Sequence, residues 1–244
     1  MKAMILAAGF GKRLRPLTEK CPKPLLPVGG TPLIVWNLLL LRRYGLRDVM
    51  INLHYLGHRI QATLGDGTAW GMRIAYSVEQ DILGTGGGLK RAEWFFDKKP
   101  FLVLNGDILI DLNLKNLMEY HARSGGIATM VLRDDPDVEQ WGVVETDRQD
   151  RVLTINGDGW SGEKRKSETL RRMFAGVHVI HPKLLCHETT EEASSIIDDY
   201  VTALEQGALV QGYQYQGYWS DVGTPERYAH VQRDVAAGRI SLPL

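Results

Sequence analysis

The chain opens on an apolar run, residues 2–8, that stops at Gly9. A run of that length without alternation predicts a strand covered on both faces. Thr31 and Pro32 read as the N-cap and first-turn proline of a helix that reaches about Tyr44 and stops at Gly45. Residues 48–53 predict a second strand, and residues 56–64 a short helix closed by Gly65. Residues 72–77 alternate, as in a half-buried strand. A helix is expected over 87–96, a fully apolar fourth strand over 101–104, a helix over 113–123 and a strand over 127–132.

Strands separated by helices of this length imply right-handed parallel crossovers. The expected class is α/β, with a mostly parallel, Rossmann-like central sheet flanked by helices. Ligands of such sheets bind beyond the carboxyl ends of the strands, which places the chemistry after Ala8, Ser77 and Leu104. From Trp141 the rhythm changes to short strands at 141–145, 151–155 and 173–181. Residues 156–169 read as an exposed loop, 194–206 as a helix ending at Gly207, and 225–237 as the last helix. The second half is expected to add a smaller, substrate-binding lobe to the same sheet.

Composition narrows the field of partners. The formal net charge is +0, from 29 basic and 29 acidic residues. No overall field is available to hold a polyanion. The one dense basic cluster (Lys164, Arg165, Lys166, Arg171, Arg172) is small, so polymeric nucleic acid is not expected as a partner. Cys21 and Cys186 fit no disulfide framework and no zinc spacing, which reads as free thiols in a reducing compartment. The start lacks the small-residue cleavage region of a secretion signal, because Lys12, Arg13 and Arg15 occupy its place. The next apolar stretch, residues 33–41, is far below the ~20 residues of a membrane span. A cytoplasmic protein without membrane contact is expected.

The segment after the first strand carries candidate chemistry. Gly9 and Gly11 let the backbone approach phosphates and aim N–H groups at them, while Lys12, Arg13 and Arg15 supply charge. The loop matches neither common glycine pattern: G-x-x-x-x-G-K-[ST] is absent, and Leu14 stands where G-x-G-x-x-G needs its third glycine. Next, Lys23 lies between Pro22 and Pro24, which predicts a stiff extended segment presenting its ammonium with little freedom. Asp107 follows the apolar fourth strand, where a carboxylate is costly unless it meets a cation.

Together these segments, A-A-G-x-G-x-R-L-x-P-L-T and then P-K-P-L-L-P-V, resemble the signature of the sugar-1-phosphate nucleotidylyltransferases. The resemblance continues through Leu83-Gly84-Thr85-Gly86-Gly87-Gly88, Asn105-Gly106-Asp107, Trp141-Gly142-Val143-Val144, Phe174-Ala175-Gly176-Val177 and Trp219-Ser220-Asp221-Val222-Gly223-Thr224-Pro225. The resemblance lies near the branches acting on N-acetylmuramate 1-phosphate (uridylyl transfer) and mannose 1-phosphate (guanylyl transfer). The resemblance implies a GT-A-like nucleotidyltransferase fold as a single domain over residues 1–240, its nucleotide half at 1–135 and its sugar half at 136–240. It implies that Ala8, Gly9, Gly11, Lys12 and Arg13 embrace the triphosphate of an NTP, with Arg13 catalytic. Lys23 would bridge the reacting phosphates, and Asp107 and Asp221 would hold Mg²⁺. Glu79 with Gly84, Thr85 and Gly86 would frame the base, while Asn105, Gly142, Gly176 and Asp221 would lie along the sugar 1-phosphate. No hexapeptide-repeat domain follows, so no second activity is expected.

Two departures bear on substrate. Lys12 stands where the family commonly has Thr or Ser. Many members carry Glu-Lys-Pro after the strand at 151–155, and this chain reads Asn156-Gly157-Asp158-Gly159, with Glu163-Lys164 only later. The branch acting on N-acetylmuramate 1-phosphate shows a similar stretch. The base stays open between uracil and guanine. A carboxylate at Glu79 accepts more from guanine, and the muramate likeness favours uridine. His54, His58, His121, His178 and His181 show no metal spacing and read as structural. One rival is a catalytically silent nucleotide-sugar-binding regulator. A glycosyltransferase is disfavoured because Asn105-Gly106-Asp107-Ile108 lacks an Asp-x-Asp triad. The apolar region 184–209 is a candidate homodimer surface.

Overall fold

The computed structural model describes residues 1–160, 169–185 and 192–243. Cys186 and the Glu163-Lys164 pair lie outside the described residues. The chain divides into two compact units built from interleaved segments. Unit 1 comprises Met1–Ile82, Leu104–Leu112 and Gly217–Leu244, and unit 2 comprises Leu83–Val103 and Asn113–Gln216.

In unit 1 the strands Ala3–Leu6, Asp48–Leu53 and Arg73–Val78 pair in parallel, in register from Ala3↔Val49 to Leu6↔Asn52 and from Asp48↔Arg73 to Leu53↔Val78. Ala3, Met4, Ile5, Val49, Met50 and Ile51 are fully buried, as their unbroken apolar runs require. Arg73–Val78 is half-exposed, as its alternation predicts. The helix Leu33–Arg43 buries nine residues and ends at Tyr44. It begins after Pro32, so Thr31 is not its cap. Thr31–Pro32 pairs with Pro27–Val28 instead, across Gly29 and Gly30, both at positive φ. That tight hairpin holds Thr31 in extended backbone and moves the helix start one residue on.

Two strands had no clear periodic signal. Ile108–Ile110 pairs antiparallel with Trp219–Asp221, with Asp221 opposite Ile108. Each is three residues long, too short for a pattern to register. The last helix, Pro225–Ala236, is capped by Thr224 and packs through Val231 onto Val28, Leu33, Trp36, Leu109, Val222 and Ile240. This cluster anchors the returning C-terminal segment to unit 1.

Unit 2 is mixed, with mainly antiparallel pairing. Leu170–Ile180 pairs antiparallel with both Ala128–Arg133 and Val143–Thr146. Val152–Ile155 adds to Val143–Thr146, and Val210–Gln214 runs parallel to Ala128–Arg133. Trp141, expected to begin a strand, instead ends the helical turn Val138–Trp141, and Gly142 (φ +91°) redirects the chain into Val143–Thr146. The helix expected at 87–96 runs over Gly84–Arg91 instead, followed by a 3-10 turn at Glu93–Phe96. Glycines are poor helix formers, but this face must be bare: a Cβ on Gly86 would lie 2.6 Å from Ser194 Oγ.

His178 is buried in unit 2, and its Nδ1 meets the Tyr200 hydroxyl at 2.7 Å. Burial alone pushes its pKa down from 6.5 to about 3. Between those values the unfolded chain holds a proton that the native state refuses, so stability falls as pH drops from 6.5 toward 3. His178→Gln should flatten that slope by up to about 1.4 kcal/mol per pH unit. Urea unfolding at several pH values in that window checks it, and an unchanged slope would show that His178 titrates in the native state.

Candidate functional site

The first strand delivers the chain to Ala7 and Ala8, both buried, and then to exposed Gly9. Gly11 sits at φ +62°, and the 3-10 turn Lys12–Leu14 follows it. Leu14, at the place of a third glycine, is a buried anchor. Thr18 is fully buried and its hydroxyl donates to the Gly11 carbonyl at 2.8 Å. A Cβ on Gly11 would lie 3.0 Å from Thr18 Cγ2 and 3.3 Å from Lys23 Cβ, so the loop is pressed against its own return path. Phe10 packs on His54 and Tyr55, with ring centroids 5.3 and 5.7 Å away. The ammonium of Lys12 lies 5.1 Å over the Phe10 ring. The positive charge that replaces the family's Thr or Ser is therefore seated on an aromatic face.

Lys23 is the first residue of a 3-10 turn, Lys23–Leu25, and only Pro22 before it is extended. The expected extended segment is corrected by the bonds from Leu25 N–H to the Pro22 carbonyl and from Leu26 N–H to the Lys23 carbonyl, which wrap the chain around Pro24. Lys23 Nζ donates to Asp107 Oδ2 at 2.6 Å, with the lysine side chain largely shielded from solvent.

Asp107 and Asp221 are brought together by backbone. Val222 N–H donates to the Asp107 carbonyl at 2.8 Å, just beyond the Asp221↔Ile108 pair. Gly106 N–H donates to the Leu6 carbonyl at 2.9 Å, which ties Asn105 and Asp107 to the end of the first strand. Asp221 Oδ1 accepts from Gly223 N–H at 2.7 Å and from Arg227 at 2.9 Å. Arg13 reaches the same turn, its Nη2 3.1 Å from where a Gly223 Cβ would be. Arg13, Lys23, Asp107 and Asp221 thus converge within unit 1. Arg227 joins them, a residue that sequence reading passed over because a helix arginine carries no signal of its own.

Among the described residues no group of three or more His, Cys, Asp or Glu is assembled for a metal. Two carboxylates suit Mg²⁺, which commonly takes one or two carboxylates and completes its octahedron with phosphate oxygens and water. Asp107 and Asp221 have that donor chemistry, and in this structure each is paired with a cation, Lys23 and Arg227.

Glu79 follows the third strand of unit 1 and is buried. Its N–H donates to the Leu53 carbonyl at 2.8 Å, its carbonyl faces His54 Nδ1 at 3.1 Å, and its Oε1 accepts from Asn52 at 2.8 Å. In unit 2, Gly84, Thr85 and Gly86 open a helix against the start of Ile196–Glu205. Gly86 N–H donates to the Ser194 carbonyl at 2.9 Å, and Thr85 Oγ1 accepts from Ile196 N–H at 2.9 Å. Gly142 lies against Asn156, whose Oδ1 accepts from Val143 N–H at 2.9 Å. Gly176 (φ +74°) occupies the irregularity between Phe174 and His178.

The nucleotidyl transferase family matches residues 2–238 of the chain. The chain is 33% identical to a UTP–glucose-1-phosphate uridylyltransferase of Synechocystis, across 98% of this chain and 64% of that protein. It is 35% identical to an N-acetylmuramate alpha-1-phosphate uridylyltransferase of Neisseria meningitidis, across 95% of this chain and 97% of that protein. It thus spans under two thirds of several curated relatives and nearly all of another. The crystal structure of HddC from Yersinia pseudotuberculosis complexed with GMP-PN shares the α/β fold, with a TM-score of 0.78 at 22% identity over 96% of this chain and 99% of that one.

Gly11→Ala should cost about 1–2 kcal/mol, because φ is left-handed and the added methyl meets Thr18. Thermal unfolding reads the stability, and titration with an NTP reads the loop. A variant of normal stability would show that the loop relaxes freely.

Proposed function

Because the chain belongs to the nucleotidyl transferase family, with sugar-1-phosphate nucleotidylyltransferases among its relatives, we propose that it makes an NDP-sugar and pyrophosphate from an NTP, UTP or GTP, and a sugar 1-phosphate. The single observation that carries the reading is the convergence of Arg13, Lys23, Asp107 and Asp221 beside the Gly9–Gly11 loop in unit 1.

The reaction is in-line displacement at the α-phosphorus. A sugar 1-phosphate oxygen forms the new P–O bond, the bond to the β-phosphate bridge breaks, and pyrophosphate leaves. A phosphate monoester oxygen is already anionic at neutral pH, so no side chain has to remove a proton. This suits a site that holds cations and carboxylates without a nucleophile–histidine pair. Asp107 and Asp221 would hold Mg²⁺, which when bound neutralises charge on the phosphates. Lys23 is locked by its 3-10 turn and its bond to Asp107, so its ammonium is placed before substrate arrives. Lys23 and Arg13 would then meet the negative charge spread over the transferring phosphoryl group, while Ala8, Gly9, Gly11 and Lys12 bind the triphosphate. Such groups act by preorganisation, because they need not reorient as charge develops. Glu79 of unit 1 is assigned to the base, and so, by the family resemblance, are Gly84, Thr85 and Gly86 of unit 2. Asn105, Gly142, Gly176 and Asp221 are assigned to the sugar, so that residues 1–135 carry chiefly the nucleotide and 136–240 the sugar. The shielded pairing of Lys23 with Asp107 supports these roles over a purely structural one, since a surface lysine would gain little from such a bond.

Among the described residues no helix is long and apolar enough to cross a membrane. The cytoplasm, where NTPs are abundant, is the proposed compartment; in the candidate dimer region 184–209, Leu184, Leu185, Ile196, Tyr200 and Leu204 are buried within the chain and offer no apolar face, and residues 186–191 lie outside the described residues.

The test is pyrophosphate release with Mg²⁺, each NTP being combined with mannose, glucose, heptose and N-acetylated sugar 1-phosphates. Release should require one NTP and one sugar, and pyrophosphate with the NDP-sugar should regenerate the NTP. Release with no pair, from folded protein that binds nucleotide, would favour the silent regulator. Asp107→Ala and Lys23→Ala should each lower kcat/KM by ~10² or more while leaving the fold intact. Near-normal turnover in either variant removes that residue from the mechanism.

A further inference from the structure

Ala7 is where the first strand stops pairing and the glycine loop begins, and its buried N–H needs an acceptor that the strand ladder no longer supplies. That acceptor is a side chain. Asn52 Oδ1 takes the Ala7 N–H at 2.8 Å, while Asn52 Nδ2 donates to Glu79 Oε1 at 2.8 Å. Asn52 is 2% exposed and Glu79 is 3% exposed. The parallel register sets Asn52 beside Leu6 on one flank and Ser77 on the other. Its carboxamide therefore lies between the end of the strand that feeds the loop and the end of the strand that carries Glu79.

Few side chains do this. The group must accept from an amide at one atom and donate to a carboxylate at the other, which a neutral carboxamide does and a hydroxyl or carboxylate of this size does not. The main chain of Glu79 is independently fixed by Leu53 and His54. The carboxamide is thus one additional tie, aimed at the carboxylate itself.

We propose that Asn52 is a positioning residue for the nucleotide, setting the separation between the loop assigned to the triphosphate and the carboxylate assigned to the base. The inference rests on the nucleotidyl-transfer reading. It goes beyond it by giving a role to a residue that touches neither substrate nor metal in that reading.

Asn52→Asp is the informative change. Its first oxygen still accepts from Ala7, but its second faces the Glu79 carboxylate in a buried place. Two carboxylates so placed cannot both ionise readily, so the pair takes up a shared proton more easily as pH falls. His54, whose Nδ1 meets the Glu79 carbonyl at 3.1 Å, is the titratable neighbour and is present in every variant. In a Glu79→Gln background the clash disappears. The carboxamide introduced there can turn its NH₂ toward the carboxylate of Asn52→Asp and restore the bond with donor and acceptor exchanged.

The experiment is a double-mutant cycle on the full chain: wild type, Asn52→Asp, Glu79→Gln and the double variant. NTP affinity is measured by titration calorimetry with a non-hydrolysable NTP and Mg²⁺ over about pH 5.5–8.5, alongside kcat and both KM values. Asn52→Asp should weaken NTP binding ~10-fold or more at high pH, with partial recovery at low pH. The sugar 1-phosphate KM should move little. The same substitution should cost little in the Glu79→Gln background, at any pH. Equal losses in both backgrounds, or a uniform loss across both substrates, would overturn the inference and leave Asn52 a structural residue. If Asn52→Asp does not fold at high pH, the double variant still decides, since the restored bond requires it to fold and bind like Glu79→Gln alone. Wild type that binds no nucleotide would sink the functional reading itself. Wild type that binds, with Asn52→Asp binding equally well, would sink this inference only.

Discussion

Backbone polar groups at the ends of buried strands must be paired, and unit 1 is organised by how it meets that demand. The Leu6 carbonyl takes Gly106 N–H, the Ala7 N–H goes to Asn52, the Leu53 carbonyl takes Glu79 N–H, and the Asp107 carbonyl takes Val222 N–H. An unmet group of this kind costs about 1–3 kcal/mol. Segments far apart in sequence are thereby locked to one another beyond the ends of their strands. The groups with chemistry, Gly9, Glu79, Asp107 and Asp221, lie within two residues of these bonds or form them. The backbone around these residues is held by the same bonds that close the fold.

Charge is arranged on this frame in opposed pairs. Lys23 meets Asp107, Arg227 meets Asp221, and Lys12 rests on an aromatic ring. Each side chain is held before a ligand arrives, so little ordering entropy remains to be lost on binding. The carboxylates also keep the cations from repelling one another across a small volume.

The parallel half was legible because its strands are buried on both faces and its helices are long enough to show a period. Residues 2–8 and 48–53 announce themselves, and so does the stop at Gly45. The glycine loop, Lys23 and Asp107 were legible by residue type and spacing, and the structure brings Lys23 and Asp107 into one ion pair. What sequence could not show was pairing between short strands, such as Ile108–Ile110 with Trp219–Asp221, since three residues carry no periodicity. The start of the helix at Gly84 was hidden for another reason. Its glycines contradict helix propensity, and the close approach of Ser194 to Gly84 and Gly86 and of Glu192 to Gly87 explains them. Arg227 and Asn52 were invisible because a single arginine or asparagine has no local signature, and their partners lie 6 and 27 residues or more away.

A chain of zero net charge cannot gather an anionic substrate from a distance. Recognition must then be local, and the loop concentrates Lys12, Arg13 and Arg15 within four positions, with Lys23 close behind against Gly11. A local cluster favours a compact polyphosphate over an extended polyanion, because the former meets all of these charges at once. The same reasoning explains why two aspartates sit among the cations. Without them the cluster would bind any phosphate. With them, Lys23 and Arg227 are already paired, so an incoming anion must compete with Asp107 and Asp221 for those cations.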